Sequence, residues 1–299
     1  MTGHVDTFVR DNLPPRDQWP ELRFTLPELQ FPERYNASDI LDAAIANGHG
    51  ARNAVLTTSE TLSYDGLLRE ASKLAHVLTN EFGLVPGNRV LVHSSNTKLS
   101  IPVWWGVFRA AGVAVGTMPM LRAHELSVIL DKAKVAHAIV DAHLAGELEQ
   151  ARTGAPSLKH IIYADDLAKL MERAPDFIPA VQTTPDDPAL IAFTSGTTGK
   201  PKGCVHFHRD IAAMAETFSR HVLQPKPSDV FIGTPPLAFT FGLGAGVVFP
   251  ANVGAATVVC PKPGFDVLAD TIAQHKATTL FTSPTGYRAL MKQDLSKLA

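Results

Sequence analysis

Residues 191–203 read IAFTSGTTGKPKG, an apolar run that leads directly into a loop of small and hydroxyl-bearing residues. Glycines allow backbone amides to turn toward a bound anion, hydroxyl groups add donors, and Lys200 and Lys202 add positive charge. The composition therefore predicts a polyphosphate site, with ATP or pyrophosphate as the ligand. The loop is not a Walker A motif, because Pro201 follows Gly199-Lys200 where that motif needs Ser or Thr. On composition alone, an ordinary surface loop would be the simpler interpretation.

Short apolar runs alternate with helical patterns on both sides of this loop. Ser38 is a suitable N-cap for a first helix that ends near Gly48, and Trp104 and Trp105 lie in an apolar helix that is expected in the core. A further helix is expected to begin at Asp65. The other expected helices cover residues 98–111, 125–132, 211–222 and 267–275, and the expected strands cover 54–58, 61–64, 89–93, 113–117, 136–140, 161–163, 190–193, 230–232, 256–260 and 279–282. This alternation is typical of βαβ crossovers and predicts an α/β fold with helices packed on largely parallel sheets.

The organisation of the chain suggests two parts. Residues 1 to about 35 are rich in proline and aromatic side chains and show no periodicity, so they are expected to wrap a larger body. The polar stretch 183–188 is the best candidate for a linker. We therefore expect a wrapping segment and a first α/β subdomain over residues 1–185, and a second, incomplete α/β subdomain with the phosphate loop over residues 186–299.

Composition and charge exclude several classes of protein. The 299 residues carry 27 Lys and Arg against 29 Asp and Glu, so there is no basic excess to favour a nucleic-acid partner. Two cysteines, Cys204 and Cys260, are too few for a disulfide scaffold and have no metal-binding spacing, so no metal site is expected in the protein itself. The apolar segment 242–260 is interrupted by Pro250, and no export signal begins the chain. A cytoplasmic protein with no membrane partner is expected.

A resemblance to a known family extends along most of the chain. The string TSGTTGKPKG, Thr194 to Gly203, resembles position for position the phosphate-binding signature of the acyl-adenylate-forming superfamily of acyl-CoA synthetases, luciferases and peptide-synthetase adenylation domains. Residues 62–78, 83–96 and 102–119 are similar to the helix and strand elements that precede this signature. The start of the chain, HVDTFVRDNLPPRDQWPEL, most resembles aryl-CoA ligases of the 2-aminobenzoate and benzoate type.

The resemblance implies the N-terminal large domain of an acyl-CoA synthetase, truncated before the C-terminal lid domain. It also implies a two-step reaction in which a carboxylate first attacks ATP and the thiol of coenzyme A then displaces AMP, with Mg²⁺ as a further cofactor. Lys202 and Thr194 are expected to be catalytic, and the signature positions are expected to bind the nucleotide: Thr194, Ser195, Gly196, Thr197, Thr198, Gly199, Lys200, Lys202 and Gly203. Lys200 could equally be a solvated loop lysine.

A second site is expected in residues 235–246, PPLAFTFGLGAG. The superfamily places a histidine or aromatic residue three positions before a glycine, where the acyl pocket meets the thiol tunnel, and Phe241 has this spacing to Gly244. An aromatic wall beside small residues suits a benzoate ring better than a long alkyl chain. The expected substrate-binding residues are Phe239, Thr240, Phe241, Gly242 and His206. The alternatives are that the two phenylalanines are core residues and that His206 and His208 are structural histidines.

The resemblance covers only the first part of the family's sequence. In the family, the adenine-contacting loop, the magnesium-holding Glu, the ribose-binding Asp, the hinge and a catalytic C-terminal Lys would all follow Ala299. The chain is therefore expected to be incomplete for turnover, whether as a fragment or as a naturally short relative. Three functions remain: an aryl-CoA ligase acting on an aromatic carboxylate, with a homodimer allowed for; an adenylating enzyme that loads a carrier protein; and a non-catalytic binding remnant.

Overall fold

The computed structural model describes residues 1–194, 201–259 and 265–298. Eleven strands occur in these described residues: β1 (Asn53–Leu56), β2 (Thr61–Ser63), β3 (Arg89–His93), β4 (Val113–Gly116), β5 (His137–Val140), β6 (His160–Tyr163), β7 (Pro188–Thr194), β8 (Lys202–Phe207), β9 (Val230–Gly233), β10 (Ala256–Val258) and β11 (Thr279–Phe281). The α-helices of the same residues are α1 (Phe8–Asp11), α2 (Asp39–Ala46), α3 (Tyr64–His76), α4 (Ser100–Arg109), α5 (Ala123–Ala133), α6 (Ala145–Arg152), α7 (Ala164–Met171), α8 (His208–Met214), α9 (Thr240–Leu243), α10 (Phe249–Val253), α11 (Leu268–His275) and α12 (Pro284–Leu290).

The strands form two sheets. Six strands pair in the order β6-β5-β3-β4-β7-β8, and five pair in the order β11-β9-β10-β1-β2. All neighbours are parallel except the edge pairs β7·β8 and β1·β2, which are antiparallel. The predicted α/β class with largely parallel sheets is therefore confirmed.

The helices α3 and α4 show how the sequence builds the core. The hydroxyl of Ser63 accepts a hydrogen bond from the Gly66 amide and so caps α3, whose Leu67 and Leu74 are buried. Gly106 of α4 lies against Leu74, where any Cβ would collide with the leucine, so the two helices approach closely. Trp104 and Trp105 are buried in the same core, as expected from their apolar helix.

Two apolar clusters cover the faces of the six-stranded sheet. One includes Val90, Ala114 and Ile139 and continues to Phe231 and Val248, residues associated with the five-stranded sheet. The other includes Leu91, Val115 and Leu130 on the opposite face. Alternate residues of β3 and β4 thus face different clusters, which is the period-2 pattern of a strand buried on both faces. In the described part of the chain, no helix combines the length and apolar character needed to cross a membrane.

The sheets do not divide the chain at residue 185. β7 pairs with β4, which lies far before residue 185, and β1 and β2 belong to the sheet of β9, β10 and β11. Thr183 and Asp187 are fully buried and hydrogen-bonded, whereas Asp186 is exposed, so the predicted linker 183–188 is only partly solvated. The two-part division at residue 185 stays a prediction about subdomains, and strand pairing crosses it in both directions.

Candidate active site at the carboxyl ends of β4 and β7

The predicted phosphate loop connects β7 to β8. The ladder between these strands places Phe193 opposite Gly203 and Thr194 opposite Lys202. The predicted loop residues Ser195, Gly196, Thr197, Thr198, Gly199 and Lys200 lie outside the described residues. The structure therefore describes the loop by its two ends, which the antiparallel ladder holds side by side.

Burial along β7 explains how the loop is presented. The first four residues of the strand are buried, Ala192 and Phe193 are half-buried, and Thr194 is exposed. β7 runs parallel to β4, so both strands end at the same edge of the sheet. Ligands of open α/β sheets bind at this carboxyl edge. Thr194 and Lys202, the residues on either side of the Ser/Thr/Gly-rich loop, lie at this edge.

A cavity of about 580 Å³ opens at this edge. Its wall includes Thr117 after β4, Thr194 at the end of β7, and Phe239 and Thr240 from the segment after β9. Ile129 of α5 and the neighbouring Met118 add apolar surface. Three predicted site residues, Thr194, Phe239 and Thr240, are thus brought together.

A close backbone approach positions Phe239 at this cavity. Gly116 at the end of β4 faces the Ala238 carbonyl oxygen, which would be 2.7 Å from a Cβ added at Gly116. The Leu237 amide donates to the Asn96 side-chain oxygen at 3.1 Å, which ties the same segment to the loop after β3. Phe239 keeps 42% of its surface exposed, so it is not a core residue.

The other predicted substrate residues lie elsewhere among the described residues. Phe241 is 49% exposed and packs edge-on against the ring of Phe281, with centroids 5.9 Å apart. Gly242 borders a smaller, separate cavity, and any Cβ there would collide with the Pro236 carbonyl oxygen, so its need for glycine is one of packing. His206 is half-buried on β8 opposite Leu190, and this burial lowers its pKa.

The part of the cavity wall that follows β4 was not predicted from the sequence. Thr117 Oγ1 and Nδ1 of the buried His93 share a hydrogen bond of 3.0 Å, and burial lowers the pKa of His93. The available signal was positional, because Thr117 ends the predicted strand 113–117 and Met118 directly follows it. Within the described residues, no three His, Cys, Asp or Glu side chains lie close enough together to hold a metal ion.

Comparison with known proteins matches this chain to a family. Residues 43–299 match the model of the AMP-binding enzymes. A benzoate–CoA ligase of Thauera aromatica is 28% identical over 274 residues, which cover 89% of this chain and 52% of the relative. A 4-hydroxybenzoate–CoA/benzoate–CoA ligase of Rhodopseudomonas palustris is 30% identical over 273 residues, which cover 88% and 50%. The chain thus spans about half the length of these curated relatives.

The fold comparison agrees with the sequence comparison. The crystal structure of the anthranilate CoA ligase AuaEII in complex with anthranoyl-AMP superimposes with a TM-score of 0.85 at 27% identity, and the match covers 91% of this chain and 55% of that one. Residues 43–299 match the family model, and the fold agrees with that of this ligase. The chain therefore belongs to the family of AMP-binding enzymes.

Proposed function

We propose that the protein activates an aromatic carboxylic acid with ATP and transfers the acyl group to coenzyme A. The observation that carries this proposal is the meeting of Thr194, at the start of the phosphate-loop signature, with Phe239 and Thr240 in one cavity. An enzyme that joins a nucleotide to an aromatic acid requires a phosphate-binding loop next to an apolar, partly aromatic wall.

The chemistry follows from the poor leaving group of a carboxylate. Attack of a carboxylate oxygen on the α-phosphorus of ATP breaks the bond to the β-phosphate and releases pyrophosphate, leaving an acyl-adenylate. The thiolate of coenzyme A then attacks the acyl carbon, and AMP departs with the electron pair of the broken C–O bond. Lys202 and Thr194 flank the loop, where their charge and hydroxyl group would stabilise the departing pyrophosphate.

The nature of the acid is inferred from the cavity wall and from the relatives. Phe239 offers an aromatic face, and Met118 and Ile129 offer apolar surface, which together suit a flat ring. The curated relatives are named for benzoate and 4-hydroxybenzoate, and the matching crystal structure holds anthranoyl-AMP. We therefore propose benzoate or 2-aminobenzoate as the substrate.

The remaining parts of the proposal concern cofactors and setting. Mg²⁺ would accompany ATP. In the described part of the predicted site, Thr194 and Thr240 carry hydroxyl groups that would suit the hydrated Mg²⁺–ATP complex. A cytoplasmic location is proposed because Cys204 is a free thiol and the sequence has no disulfide pattern. A homodimer is proposed as the assembly.

Product analysis tests the proposal. The protein expressed from its complete coding region would be incubated with ATP, Mg²⁺, coenzyme A and either benzoate, 2-aminobenzoate or octanoate, and the products identified by mass spectrometry. We expect aryl-AMP when coenzyme A is omitted and aryl-CoA when it is present. Transfer to a phosphopantetheinyl carrier protein but not to coenzyme A would favour the carrier-loading alternative, which has less support because the relatives above are CoA ligases. Binding of ATP without any adenylate would indicate the non-catalytic alternative.

A further inference from the structure

The base of the β7–β8 hairpin is held by the first residues of the chain. Asp187 directly precedes β7 and is 0% exposed. Its carboxylate accepts hydrogen bonds from the Thr184 amide at 2.8 Å, the Gly3 amide at 2.7 Å and the Arg10 guanidinium at 3.2 Å, and also from the hydroxyl group of Thr2. Three of these four donors belong to residues 2–10, which we call the N-terminal clasp.

The second strand of the hairpin is tied to the same place. The amide of His208, the first residue after β8, donates to the Asp187 carbonyl oxygen at 3.0 Å. Nδ1 of His208 in turn accepts from the Ala37 amide at 3.0 Å. Both strands of the hairpin that carries the phosphate loop therefore end in contacts with residues from the start of the chain.

A stack of side chains fastens the continuation of the N-terminal segment to β8. The Arg16 guanidinium lies 4.0 Å from the centroid of the Trp19 ring, and Trp19 stacks on Phe207 at 5.6 Å. The Arg209 guanidinium also lies 4.9 Å from the centroid of the Phe207 ring. Cation–π contacts and stacking of this kind each add about 0.5 to 1.5 kcal/mol, so the segment also holds the last residue of β8 at the base of the hairpin.

The buried carboxylate makes this attachment specific. An ionised carboxylate inside a protein is costly unless hydrogen bonds compensate it, so Asp187 requires its donors from the clasp. The hydrogen bonds with Thr184, Thr2 and Gly3 and the nearby His4 outweigh burial and hold the pKa of Asp187 below its ordinary value. Displacement of residues 2–10 would leave this charge with the Thr184 amide and without its three donors from the clasp, so the position of the hairpin and the position of the clasp depend on each other.

Because β7 is long, a small tilt of the strand at Asp187 displaces the loop at its other end by a larger distance. Seven residues at about 3.3 Å each separate Asp187 from Thr194, a distance of about 23 Å, so a tilt of about 5° would move the loop by about 2 Å. Misplacement of a reacting group by about 1 Å can cost about 100-fold in rate. The orientation of the hairpin at its base therefore determines the position of the loop.

We propose that Asp187 is a positioning residue, which together with the N-terminal clasp fixes the orientation of the loop-bearing hairpin for binding phosphate groups. Its catalytic consequence rests on the proposed function, whereas its effect on the hairpin does not. The substitution Asp187→Asn retains an acceptor oxygen for Thr184 and Gly3 but removes the charge that holds Arg10. Arg10→Gln, at a half-exposed side chain, is the milder second variant if Asp187→Asn folds poorly.

The matched control is Asp42→Asn. Asp42 lies on α2, outside both the clasp and the hairpin, and its carboxylate accepts a hydrogen bond from the buried Arg109 guanidinium at 2.7 Å. A general loss of stability from a broken ion pair would therefore appear in both Asp42→Asn and Asp187→Asn, whereas a positioning effect would appear in Asp187→Asn and Arg10→Gln only.

Two measurements on the protein from its complete coding region test the proposal. Hydrogen exchange of peptides covering residues 188–194 and 201–207 should increase at least fivefold in Asp187→Asn and Arg10→Gln, and inorganic pyrophosphate should bind about tenfold more weakly. In an active enzyme, kcat for adenylation should fall about tenfold with a less than twofold change in KM for the aromatic acid. Unchanged exchange and pyrophosphate affinity in both variants, or equal changes in Asp42→Asn, would overturn the proposal. If the wild type makes no adenylate while exchange and pyrophosphate binding change as expected, the proposed function fails and the positioning role stands.

Discussion

Thr194 and Lys202 lie directly opposite each other at the loop end of the β7–β8 ladder. Residues directly opposite in an antiparallel pair project from the same face, with Cβ atoms about 5 Å apart. A hydroxyl group and an ammonium group therefore flank the predicted phosphate loop together. Both residues are exposed, as groups that meet a solvent-borne nucleotide must be.

We expect Lys202→Ala to slow adenylation by about 100- to 1,000-fold, because it removes a positive charge that would stabilise the departing pyrophosphate. The KM for the carboxylic acid should change much less. Single-turnover formation of the adenylate measures the effect, and Lys226→Ala, at another exposed lysine, is the control. A Lys202→Ala enzyme with a near-normal single-turnover rate would remove this residue from the mechanism.

Thr194→Val should reduce the adenylation rate by about 100-fold, as expected for the loss of one hydrogen-bond donor to developing charge. Valine preserves the volume and the β-branched shape that suit the end of a strand. Thr194→Ser keeps the hydroxyl group and should retain at least about a third of the activity. Retained activity in Thr194→Val together with a loss in Thr194→Ser would mean that the methyl group, and hence packing, is what matters at this position.

Phe239→Ala should lower the preference for benzoate over octanoate by up to about tenfold, because ring stacking contributes about 0.5 to 1.5 kcal/mol beyond burial. The ratio of kcat/KM for the two acids reports this difference. Phe241→Ala is the informative comparison, since the spacing to Gly244 predicts Phe241 and the cavity wall contains Phe239. If only Phe241→Ala changes the ratio, the aromatic wall is formed by Phe241; if neither does, the aryl preference has another origin.

His208 should make the fold sensitive to acid. Complete burial, with a smaller contribution from His4, lowers the pKa of His208 to about 3, while Asp187 opposes the shift. Because the unfolded chain takes up the proton near pH 6.5 and the folded chain does not, the free energy of unfolding should fall by about 1.4 kcal/mol per pH unit as the pH drops from about 6.5 to 3. Above pH 6.5, His208 should contribute no pH dependence.

His208→Asn tests this origin, because the asparagine oxygen can accept the hydrogen bond from the Ala37 amide and does not titrate. Denaturant unfolding between pH 4 and 8 should show a shallower pH dependence in this variant. His124→Asn, at an exposed histidine of α5, should leave the slope unchanged. The same steep slope in His208→Asn as in the wild type would assign the acid sensitivity to other groups, with His4 the first to examine.

The strongly patterned elements could be predicted from the sequence. β3 has the expected bounds, and β4, β5 and β9 differ from expectation by one residue at one end, because buried parallel strands are continuous apolar runs. β8 was not predicted as a strand, since its Lys202, Gly203 and Cys204 are exposed and continue the composition of the loop. Only pairing with β7, a tertiary contact, makes this segment a strand.

Local caps and long-range contacts account for other differences. Ser38 occupies the expected N-cap position of α2, but its side chain makes no capping hydrogen bond; instead the Asn36 amide donates to Asp39, and the Ser38 amide donates to the Asn36 side chain. The cavity joins residues from β4, β7 and the segment after β9, which are far apart in sequence. The signature could therefore predict the phosphate side of the site, whereas the choice between Phe239 and Phe241 depended on how two sheets pack.

The exchange of labelled pyrophosphate into ATP tests the central claim most directly, because it requires reversible adenylate formation and no coenzyme A. The measurement uses the protein from its complete coding region, with benzoate, 2-aminobenzoate or octanoate as the added acid. We predict exchange that depends on an aromatic acid, is at least about tenfold slower with octanoate, and is lost in Lys202→Ala. Exchange that is absent with every acid, or that is fastest with octanoate, would contradict the assignment as an enzyme that activates aromatic carboxylates.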